Sequence, residues 1–332
     1  MSQLGCPVAL ALCSLLASAA TAAAEPAWRS AVQCAIDAEP GSGLAHVSPL
    51  HDDKLAELES FGSGYRVVGN KSFTRLPSHS WVAFTFDDGP QYKNTPRVLA
   101  ALEKYDVPAT FFVNAVNIVP GRYPAFARRN AALLRDMVRR GFHIGNHTFH
   151  HKHLDTLPPR LFKEEIEASA QAIEAVTGIR PYLVRLPYGT IDQKLRAYLA
   201  QEGYTEVRWS IDTHDFSKKR RRTLRKRTLK QIVKSNGGVV LLHDPKPQTG
   251  EMLGGLLDDL EALNCQRLVT QETLLIPVSL HYFAREADGS PRPVPPEVAA
   301  RTERYMKELP ARCAARNHPR VRTATGGRAG AD

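Results

Sequence analysis

Short apolar runs alternate with longer amphipathic stretches between about residue 79 and residue 277. Trp81 to Phe86 alternates in polarity and is rich in β-favouring residues, which predicts a strand. Leu161 to Val176 carries apolar residues at helical spacing, which predicts a long helix. Because strands and helices recur in turn, the pattern indicates an α/β fold with a parallel sheet or barrel of about seven strands.

The same criteria locate the other predicted elements. Further strands are predicted at Ala109 to Val113, Tyr182 to Val184, Val207 to Ile211 and Val239 to Leu242. Further helices are predicted to begin near Thr95, Asp192 and Leu224, and to cover Ala131 to Arg140 and Gly250 to Leu263. This series of elements does not by itself distinguish a barrel from an open sheet.

The first residues have the pattern of an export signal. Val8 to Ala24 is apolar or small, and three alanines precede Glu25, which predicts a signal peptide over residues 1–24. An uncleaved membrane anchor is the alternative. It is disfavoured because Ser14 and Ser18 interrupt a segment that is already short for a span of about 20 residues. We therefore expect an exported bacterial protein, periplasmic or secreted, without stable membrane insertion once the signal is cleaved.

Composition divides the mature chain into three parts. Residues 25–78 are a Gly- and Ser-punctuated extension whose role is not evident. Residues 79–277 hold the alternating pattern, and this is the predicted catalytic domain. Residues 278–332 are basic and rich in Pro and Arg, with four prolines between 286 and 297. In that part we predict a short helix from Pro296 to Lys307 and disorder over about the last fifteen residues.

The chain is basic, with a formal net charge of +10 and a pI near 9.4. Lys218 to Lys230 contains nine Lys or Arg in thirteen residues. One interpretation is an electrostatic guide for an anionic glycan or the cell envelope. The favoured interpretation is a solvated helix whose apolar side chains, Leu224, Leu229, Ile232 and Val233, face the core. Nucleic acid is not an expected partner of an exported protein.

Three cysteines remain after removal of the signal: Cys34, Cys265 and Cys313. None has the paired spacing of a zinc-binding cysteine cluster. An oxidising compartment permits one disulfide among them, but their spacing assigns no pairing.

Two polar clusters are candidates for a metal site. Asp87 and Asp88 follow a buried strand, where α/β enzymes place reactive groups, although Asp-Gly-Pro is also turn chemistry. His147 and His151 are four residues apart, so one helical turn would put both imidazoles on one face. With Asp88 they would form a site of two histidines and one carboxylate. His150 and His153 are expected to point elsewhere and not to bind the metal. The alternative for the histidines is a surface cluster that binds no metal.

Three more polar clusters follow predicted strands. They begin at Arg185, Asp212 and His243. An arginine can orient a carboxylate through paired hydrogen bonds, and a histidine at a strand end suits a proton donor that an aspartate orients. Each cluster alone fits an ordinary turn or a structural histidine. In an α/β barrel, however, strand ends converge on one face, so the five clusters together indicate an active site.

These five ordered motifs resemble those of the polysaccharide deacetylase family, carbohydrate esterase family four, over residues 79–277. The resemblance implies a distorted (β/α) barrel. It also implies that Asp87 is the general base and that Arg185 orients it. The metal ligands implied by the resemblance are Asp88, His147 and His151.

The resemblance further implies that His243 is the general acid and that Asp212 tunes it. Pro187 and Tyr188 would line the substrate groove, with the Tyr188 amide in the oxyanion hole. Phe216 stands where the family usually has Trp, and we expect it to keep an aromatic wall for the substrate. No motif residue with a chemical role is missing, which argues against an inactive relative.

The implied activity is the removal of N-acetyl groups from amino sugars of a glycan such as chitin, peptidoglycan or poly-N-acetylglucosamine. The implied cofactor is a divalent metal, zinc first, with nickel or cobalt also fitting. A hydrolase of a non-sugar amide or O-acyl ester would use the same site. Two other classes stay open: a non-haem iron oxygenase, which also uses two histidines and a carboxylate, and a non-catalytic glycan-binding protein.

Overall fold

The computed structural model describes residues 66–67, 79–217, 220–286 and 289–317. The predicted signal peptide, Cys34 and nearly all of the extension over residues 25–78 lie outside these ranges. So do Lys218 and Lys219 of the basic run, and the last fifteen residues, 318–332, for which disorder was predicted.

The centre of the fold is an eight-stranded sheet in which every pairing is parallel. The long strand β2 (His79–Gly89) lies between β3 (Ala109–Val113) and β8 (Gly238–His243). The other strands of this sheet are β4 (His143–Asn146), β5 (Leu183–Val184), β6 (Thr205–Glu206), β7 (Ile211–Asp212) and β9 (Leu274–Pro277). The order is β6-β5-β4-β3-β2-β8-β7, with β9 also paired to β2.

The two edge strands of this order follow each other closely in the chain, which curls the sheet into a distorted barrel. Val207 donates its N–H to the carbonyl of Val184 in β5 at 2.8 Å, and Ser210 donates to the carbonyl of Val239 in β8 at 3.0 Å. Arg208 and Trp209 therefore cross from the β5 side to the β8 side without the regular hydrogen bonds of a strand. The predicted barrel is confirmed, but the single strand predicted from Val207 to Ile211 is wrong, because this segment crosses between opposite edges.

Seven α-helices occur among the described residues, and they mostly follow the predicted alternation. Their bounds are α1 (Thr95–Lys104), α2 (Pro124–Arg139), α3 (Pro159–Thr177), α4 (Gln193–Gln201), α5 (Arg221–Ser235), α6 (Pro247–Thr270) and α7 (Pro296–Asn317). Helix α2 begins seven residues before its predicted start. None of the described helices is both long and apolar enough to cross a bilayer.

Strand β2 is buried on both faces, as is typical of a parallel strand covered by helices. Val82, Phe84 and Phe86 pack outward against the helix layer, including α1. The alternate position Ala83 joins a second apolar cluster with Val239 of β8. Because side chains alternate along a strand, Thr85 and Asp87 share the face of Ala83. The base of the predicted site is thus carried on the inward face of the central strand.

The C-terminal part is more ordered than expected up to residue 317. Helix α7 is longer than the predicted helix from Pro296 to Lys307. It buries Tyr305 and Leu309 in the same cluster as Trp81 of β2. A disulfide joins Cys313 in α7 to Cys265 in α6, with a Cα–Cα distance of 5.4 Å. The pairing that the cysteine spacing left open is therefore assigned, and it fastens α7 to the barrel. A short antiparallel pair joins β1 (Arg66–Val67) to β10 (Ala284–Arg285), and β10 precedes α7 in the chain.

The basic run forms most of α5. Leu224 and Ile232 are fully buried and Leu229 is half-buried, as the solvated-helix interpretation requires. Val233 was also expected to face the core, and this is wrong, since it is 37% exposed. The helix turns its apolar stripe inward and its charged side chains toward solvent.

Candidate active site

The five polar clusters meet at one end of the sheet. Each lies at the carboxyl end of a parallel strand or within a few residues after it. Asp87 lies two residues before the end of β2, and the strands β4, β5, β7 and β8 lead to the other clusters, which contain His147, Arg185, Asp212 and His243. This is the edge at which α/β proteins bind ligands.

Asp88, His147 and His151 form a compact cluster. Their ligand atoms all lie within 4.8 Å of one another. Asp88 Oδ1 is 3.3 Å from His151 Nε2 and 3.5 Å from His147 Nε2. This carboxylate oxygen is buried and has no hydrogen-bond partner among the described residues. A buried oxygen without a donor costs free energy, so its position beside two imidazole nitrogens suits a cation ligand.

The tautomer of His147 agrees with this interpretation. His147 Nδ1 lies 2.7 Å from the carbonyl oxygen of Arg185. Because a carbonyl only accepts, Nδ1 donates, and the lone pair on Nε2 faces the cluster. One carboxylate and two imidazoles are a donor set that zinc and similar divalent metals accept. The residues present therefore fit a divalent metal ion.

The two histidines do not share a helical turn, so the predicted local structure is wrong. The segment after β4 is irregular, and both Thr148 and His151 have left-handed backbone, with φ values of 69° and 57°. Asp88 is also left-handed, with φ 72°. Such values are uncommon for residues other than glycine and often mark functional sites. The histidines converge because the loop bends back, with Thr148 N–H bound to Asn146 Oδ1 at 2.8 Å.

Asp87 and Arg185 form a buried ion pair next to this cluster. Arg185 Nη1 is 2.8 Å from Asp87 Oδ1, and the two side chains are 0% and 4% exposed. Arg185 also donates to the hydroxyl of Thr85 at 2.9 Å, and its guanidinium lies over the ring of Phe112. The other carboxylate oxygen of Asp87 is 3.8 Å from His147 Nε2. The structure thus fixes one oxygen of Asp87 and turns the other toward the metal cluster.

His243, on the opposite side of Asp87 along the sheet, is paired with Asp215. His243 Nδ1 lies 2.7 Å from Asp215 Oδ1, and the N–H of His243 donates to Oδ2 at 2.8 Å. The Thr249 hydroxyl also donates to Asp215, which is fully buried. Burial alone would lower the pKa of His243, but the hydrogen bond and charge of Asp215 raise it to about 9. His243 is therefore protonated near neutral pH.

The prediction that Asp212 tunes His243 is wrong. The carboxylate of Asp212 instead lies 2.8 Å from His214 Nδ1, at the protein surface. The cause is the alternation of side chains along an extended segment. Ile211, Thr213 and Asp215 are buried, whereas the alternate positions Asp212 and His214 are not. The buried Ile211 was a signal that could have identified Asp215, four residues on, as the inward carboxylate.

Two exposed aromatic rings flank the polar groups. Tyr188, 56% exposed, has left-handed backbone with φ 61° and stacks on His153, with a centroid distance of 3.6 Å. Its ring also meets the edge of His151 at 4.8 Å. Phe216, 52% exposed, packs edge-on against His243 at 5.7 Å. Pro187 is buried before Tyr188. The predicted substrate-wall residues thus lie beside His151 and beside His243.

Asp244 is a buried carboxylate for which sequence analysis proposed no role. The hydroxyl of Thr95 donates to it, and its Oδ1 has no hydrogen-bond partner among the described residues. Burial raises the pKa of Asp244 to about 7, and the charges of Asp88 and Asp87 add to this effect. A Cβ on Gly89 would lie only 2.2 Å from Asp244 Oδ2, so only glycine fits at that position. Asp244 thus packs directly under the turn that carries Asp88.

Comparison with known proteins agrees with this geometry. The family model described as polysaccharide deacetylase matches residues 75–207. The chitooligosaccharide deacetylase of Bradyrhizobium sp. (strain ANU 289) is 36% identical over 183 residues, covering 55% of this chain and 76% of that protein. The chain belongs to the polysaccharide deacetylase family. The resemblance inferred from the five motifs is thereby confirmed.

Other members of the polysaccharide deacetylase family are longer or more distant. Peptidoglycan-N-acetylmuramic acid deacetylase PdaC of Bacillus subtilis is 33% identical over 174 residues, which are 52% of this chain but 34% of PdaC. The matched region therefore spans about a third of that relative. The family 4 carbohydrate esterase from Streptomyces lividans, solved in complex with acetate, is 28% identical with a TM-score of 0.50. That match covers 62% of this chain and 97% of the esterase.

Proposed function

We propose that the protein is a metal-dependent hydrolase that removes N-acetyl groups from the amino sugars of a polysaccharide and releases acetate. The observation that carries the proposal is the convergence of three different groups at one sheet edge. These are the Asp88, His147 and His151 cluster, the buried Asp87–Arg185 pair, and a histidine held protonated by Asp215. A site that only bound a glycan would need neither the base nor the acid.

The metal would be held by Asp88, His147 and His151. Zinc suits this set of one carboxylate and two imidazoles, and nickel or cobalt would also fit. A bound divalent ion acts as a Lewis acid, which lowers the pKa of water and polarises an acyl carbonyl. The same three-residue set can hold iron in oxygenases, so a metal analysis accompanies the activity test.

The protein side chains would supply the proton transfers. Asp87, oriented by Arg185, takes a proton from the attacking water. His243, protonated at neutral pH, donates a proton to the departing sugar nitrogen. The backbone N–H of Tyr188 would stabilise the developing oxyanion, a contribution of about 3–4 kcal/mol for one such donor. The roles divide between a base and an acid whose environments differ.

The substrate would be an N-acetylated glycan. The names of the relatives specify peptidoglycan and chitooligosaccharides, and both carry acetamide groups on sugar rings. Tyr188 and Phe216 present exposed rings that offer apolar walls against which sugar faces can pack. The buried Pro187 directly precedes Tyr188. The basic helix α5 follows the segment of Phe216 in the chain.

We further propose that the protein acts outside the cytoplasm, in the periplasm or as a secreted protein. The predicted signal peptide over residues 1–24 and the disulfide Cys265–Cys313 both support this location. In this proposal residues 79–277 form the catalytic domain, and α7 is attached to it. A mature N-terminus at Glu25, found by mass spectrometry of the exported protein, tests the cleavage.

The test of function is acetate release by the purified mature protein. The zinc-loaded and chelator-treated forms are assayed on chitooligosaccharides and on peptidoglycan, with Asp87→Asn as the catalytic control. We expect release that the chelator abolishes and that zinc restores. No release from either glycan with metal bound would redirect the proposal to a non-sugar amide or an O-acyl ester. Oxygen consumption with iron would contradict it.

A further inference from the structure

Glu165 of α3 is a buried carboxylate that none of the proposed chemical steps uses. It is 5% exposed and faces the loop that carries His151. Oε2 accepts the backbone N–H of His150 at 2.8 Å. Oε1 lies 2.8 Å from His150 Nδ1 and 2.8 Å from Lys152 Nζ. The backbone carbonyl of Glu165 accepts the N–H of Phe149 at 3.0 Å. One residue thus binds both neighbours of His151 and the residue before them.

His151 is more exposed than His147 and has an unusual backbone conformation. Its side chain is 31% exposed, its backbone is left-handed, and its N–H bonds to Thr148 Oγ1 at a long 3.2 Å. A non-glycine residue keeps such a conformation only when surrounding contacts impose it. Hydrogen bonds from the N–H groups of Ala115 and Val116 fix the carbonyls of Thr148 and Phe149 before His151. The contacts with Glu165 lie on both sides of His151 in the chain, so they can impose its conformation.

His147, the other histidine of the cluster, is held differently. It directly follows β4, is buried, and donates its N–H to the carbonyl of Val113 at 2.9 Å. Its Nδ1 is fixed by the carbonyl of Arg185. The sheet itself therefore orients His147, whereas His151 depends on contacts made by a helix outside the sheet.

We propose that Glu165 is a positioning residue that holds the loop over residues 149–152 so that His151 Nε2 faces Asp88. It thereby sets the affinity of the cluster for a divalent metal. The inference rests on the proposed function, since it takes the cluster to be a metal site. Residues that orient a ligand from outside the coordination sphere typically contribute 10- to 100-fold in metal affinity.

The charge of Glu165 fits this role. Burial alone would raise the pKa of Glu165, but hydrogen bonds from Lys152 and from the backbone and ring of His150 lower it. Glu165 is thus a carboxylate with several donors, and charge-assisted hydrogen bonds of this kind are stronger than neutral ones. A glutamine at this position would keep an acceptor for one N–H but would lose the ion pair with Lys152.

The test measures zinc affinity of the metal-free full chain by isothermal titration calorimetry, with unfolding curves for each variant. Glu165→Gln is expected to raise the Kd for zinc about 10-fold and Glu165→Ala about 100-fold. Glu164→Gln is the matched control, because Glu164 is the exposed neighbour on the same helix, and its Kd should not change. We expect the deacetylase activity of Glu165→Gln to recover at saturating zinc, which a residue taking part in chemistry would not allow.

Wild-type zinc affinity in folded Glu165→Gln and Glu165→Ala would overturn the inference. If Glu165→Ala does not fold, Lys152→Met decides, because Lys152 is 52% exposed and its loss leaves the backbone bonds intact. It should weaken zinc binding severalfold, and an unchanged Kd in both Lys152→Met and Glu165→Gln would refute the role. Zinc binding by the wild type without acetate release would refute the proposed function alone. The affinity series would then still decide the role of Glu165.

Discussion

Two buried carboxylates in this site are each paired with a nitrogen-containing side chain, but the two pairs differ in which partner faces the site. Asp87 is paired with Arg185, whose side chain is fully buried and whose charge is permanent. Asp215 is paired with His243, whose pKa it raises to about 9. In the proposed mechanism, the carboxylate of the first pair and the imidazole of the second are the groups that face the substrate. One type of contact would then prepare a base in one case and an acid in the other, depending on which partner faces the cluster of Asp88, His147 and His151.

The largest expected effect follows from breaking the first pair. Arg185→Met keeps similar volume but leaves Asp87 buried without its cation, which should lower the free energy of unfolding by about 3–5 kcal/mol. Urea unfolding curves measure this loss. In the double variant Arg185→Met/Asp87→Leu the unpaired charge is gone, so part of the stability should return. An Arg185→Met variant as stable as wild type would contradict the importance of this pair.

The next effect separates chemistry from metal binding. Asp87→Asn removes the proton acceptor but none of the cluster residues Asp88, His147 and His151. We expect kcat/KM for deacetylation to fall by about 10²- to 10⁴-fold, the usual contribution of a general base. Zinc content, measured by elemental analysis after dialysis, should equal that of the wild type. Normal turnover by this variant would show that the base has been assigned wrongly.

The second pair is tested through the pH dependence of the reaction. In the proposed mechanism the protonated form of His243 is the active one, so activity should fall on the alkaline side as pH passes the pKa of His243. Asp215→Asn removes a charge that raises this pKa. The alkaline limb of the plot of activity against pH should therefore move to lower pH by about 1–2 pH units. This estimate takes about 1.5–3 kcal/mol for the charged hydrogen bond.

Asp212→Asn is the matched control for that measurement. Asp212 lies at the surface beside His214, so the alkaline limb should stay where it is in the wild type. A shift in Asp212→Asn and none in Asp215→Asn would mean that the hydrogen bond between Asp215 and His243 does not govern the acid.

The smallest expected effect concerns a second buried histidine, His281. Burial, together with the charges of His143 and Arg292, lowers the pKa of His281 well below 6.5. The unfolded chain takes up a proton near pH 6.5 and the native protein does not, so stability falls as pH decreases below that value. One such proton corresponds to at most about 1.4 kcal/mol per pH unit. His243, with its raised pKa, has the opposite sign: its contribution to stability is fully present below about pH 6.5 and is lost as pH rises from there through about 9.

Urea unfolding at pH 7.5, 6.5 and 5.5 measures the acid-side slope. The slope should be smaller in His281→Leu than in the wild type. Equal slopes in His281→Leu and the wild type would show that His281 takes up its proton in the native state as well.

Hydrophobic patterning predicted an α/β fold with a parallel sheet, because the strands are buried and the helices are amphipathic. The barrel itself followed from the family resemblance. The strand from Ala109 to Val113 is confirmed residue for residue, since all five of its residues are buried. The pairing of Arg185 with Asp87 followed from the family resemblance. The partner of His243 was missed because Asp212 and Asp215 follow the same strand. They are distinguished only by which of them falls on the buried alternate positions.

Other features could not be predicted because they depend on contacts distant in sequence or on unusual backbone. The pairing of Cys265 with Cys313 depends on how α6 and α7 pack, across 48 residues of chain. The loop at His151 has left-handed residues that are not glycine, so no local signal marks it. Glu165 lies within a regular amphipathic helix, and only its position over that loop distinguishes it from the exposed Glu164.

The gap between β6 and β7 has a consequence for solubility. Open sheet edges expose unpaired backbone groups to which another chain can add a strand, and long edges promote aggregation. Here each edge strand has two residues, and the crossing segment joins them. Arg185 donates from Nε to the carbonyl of Val207 at 3.3 Å and from Nη2 to that of Arg208 at 3.5 Å. The arginine that orients the base thus also satisfies acceptors at the seam of the barrel, so its loss should favour self-association as well as inactivity.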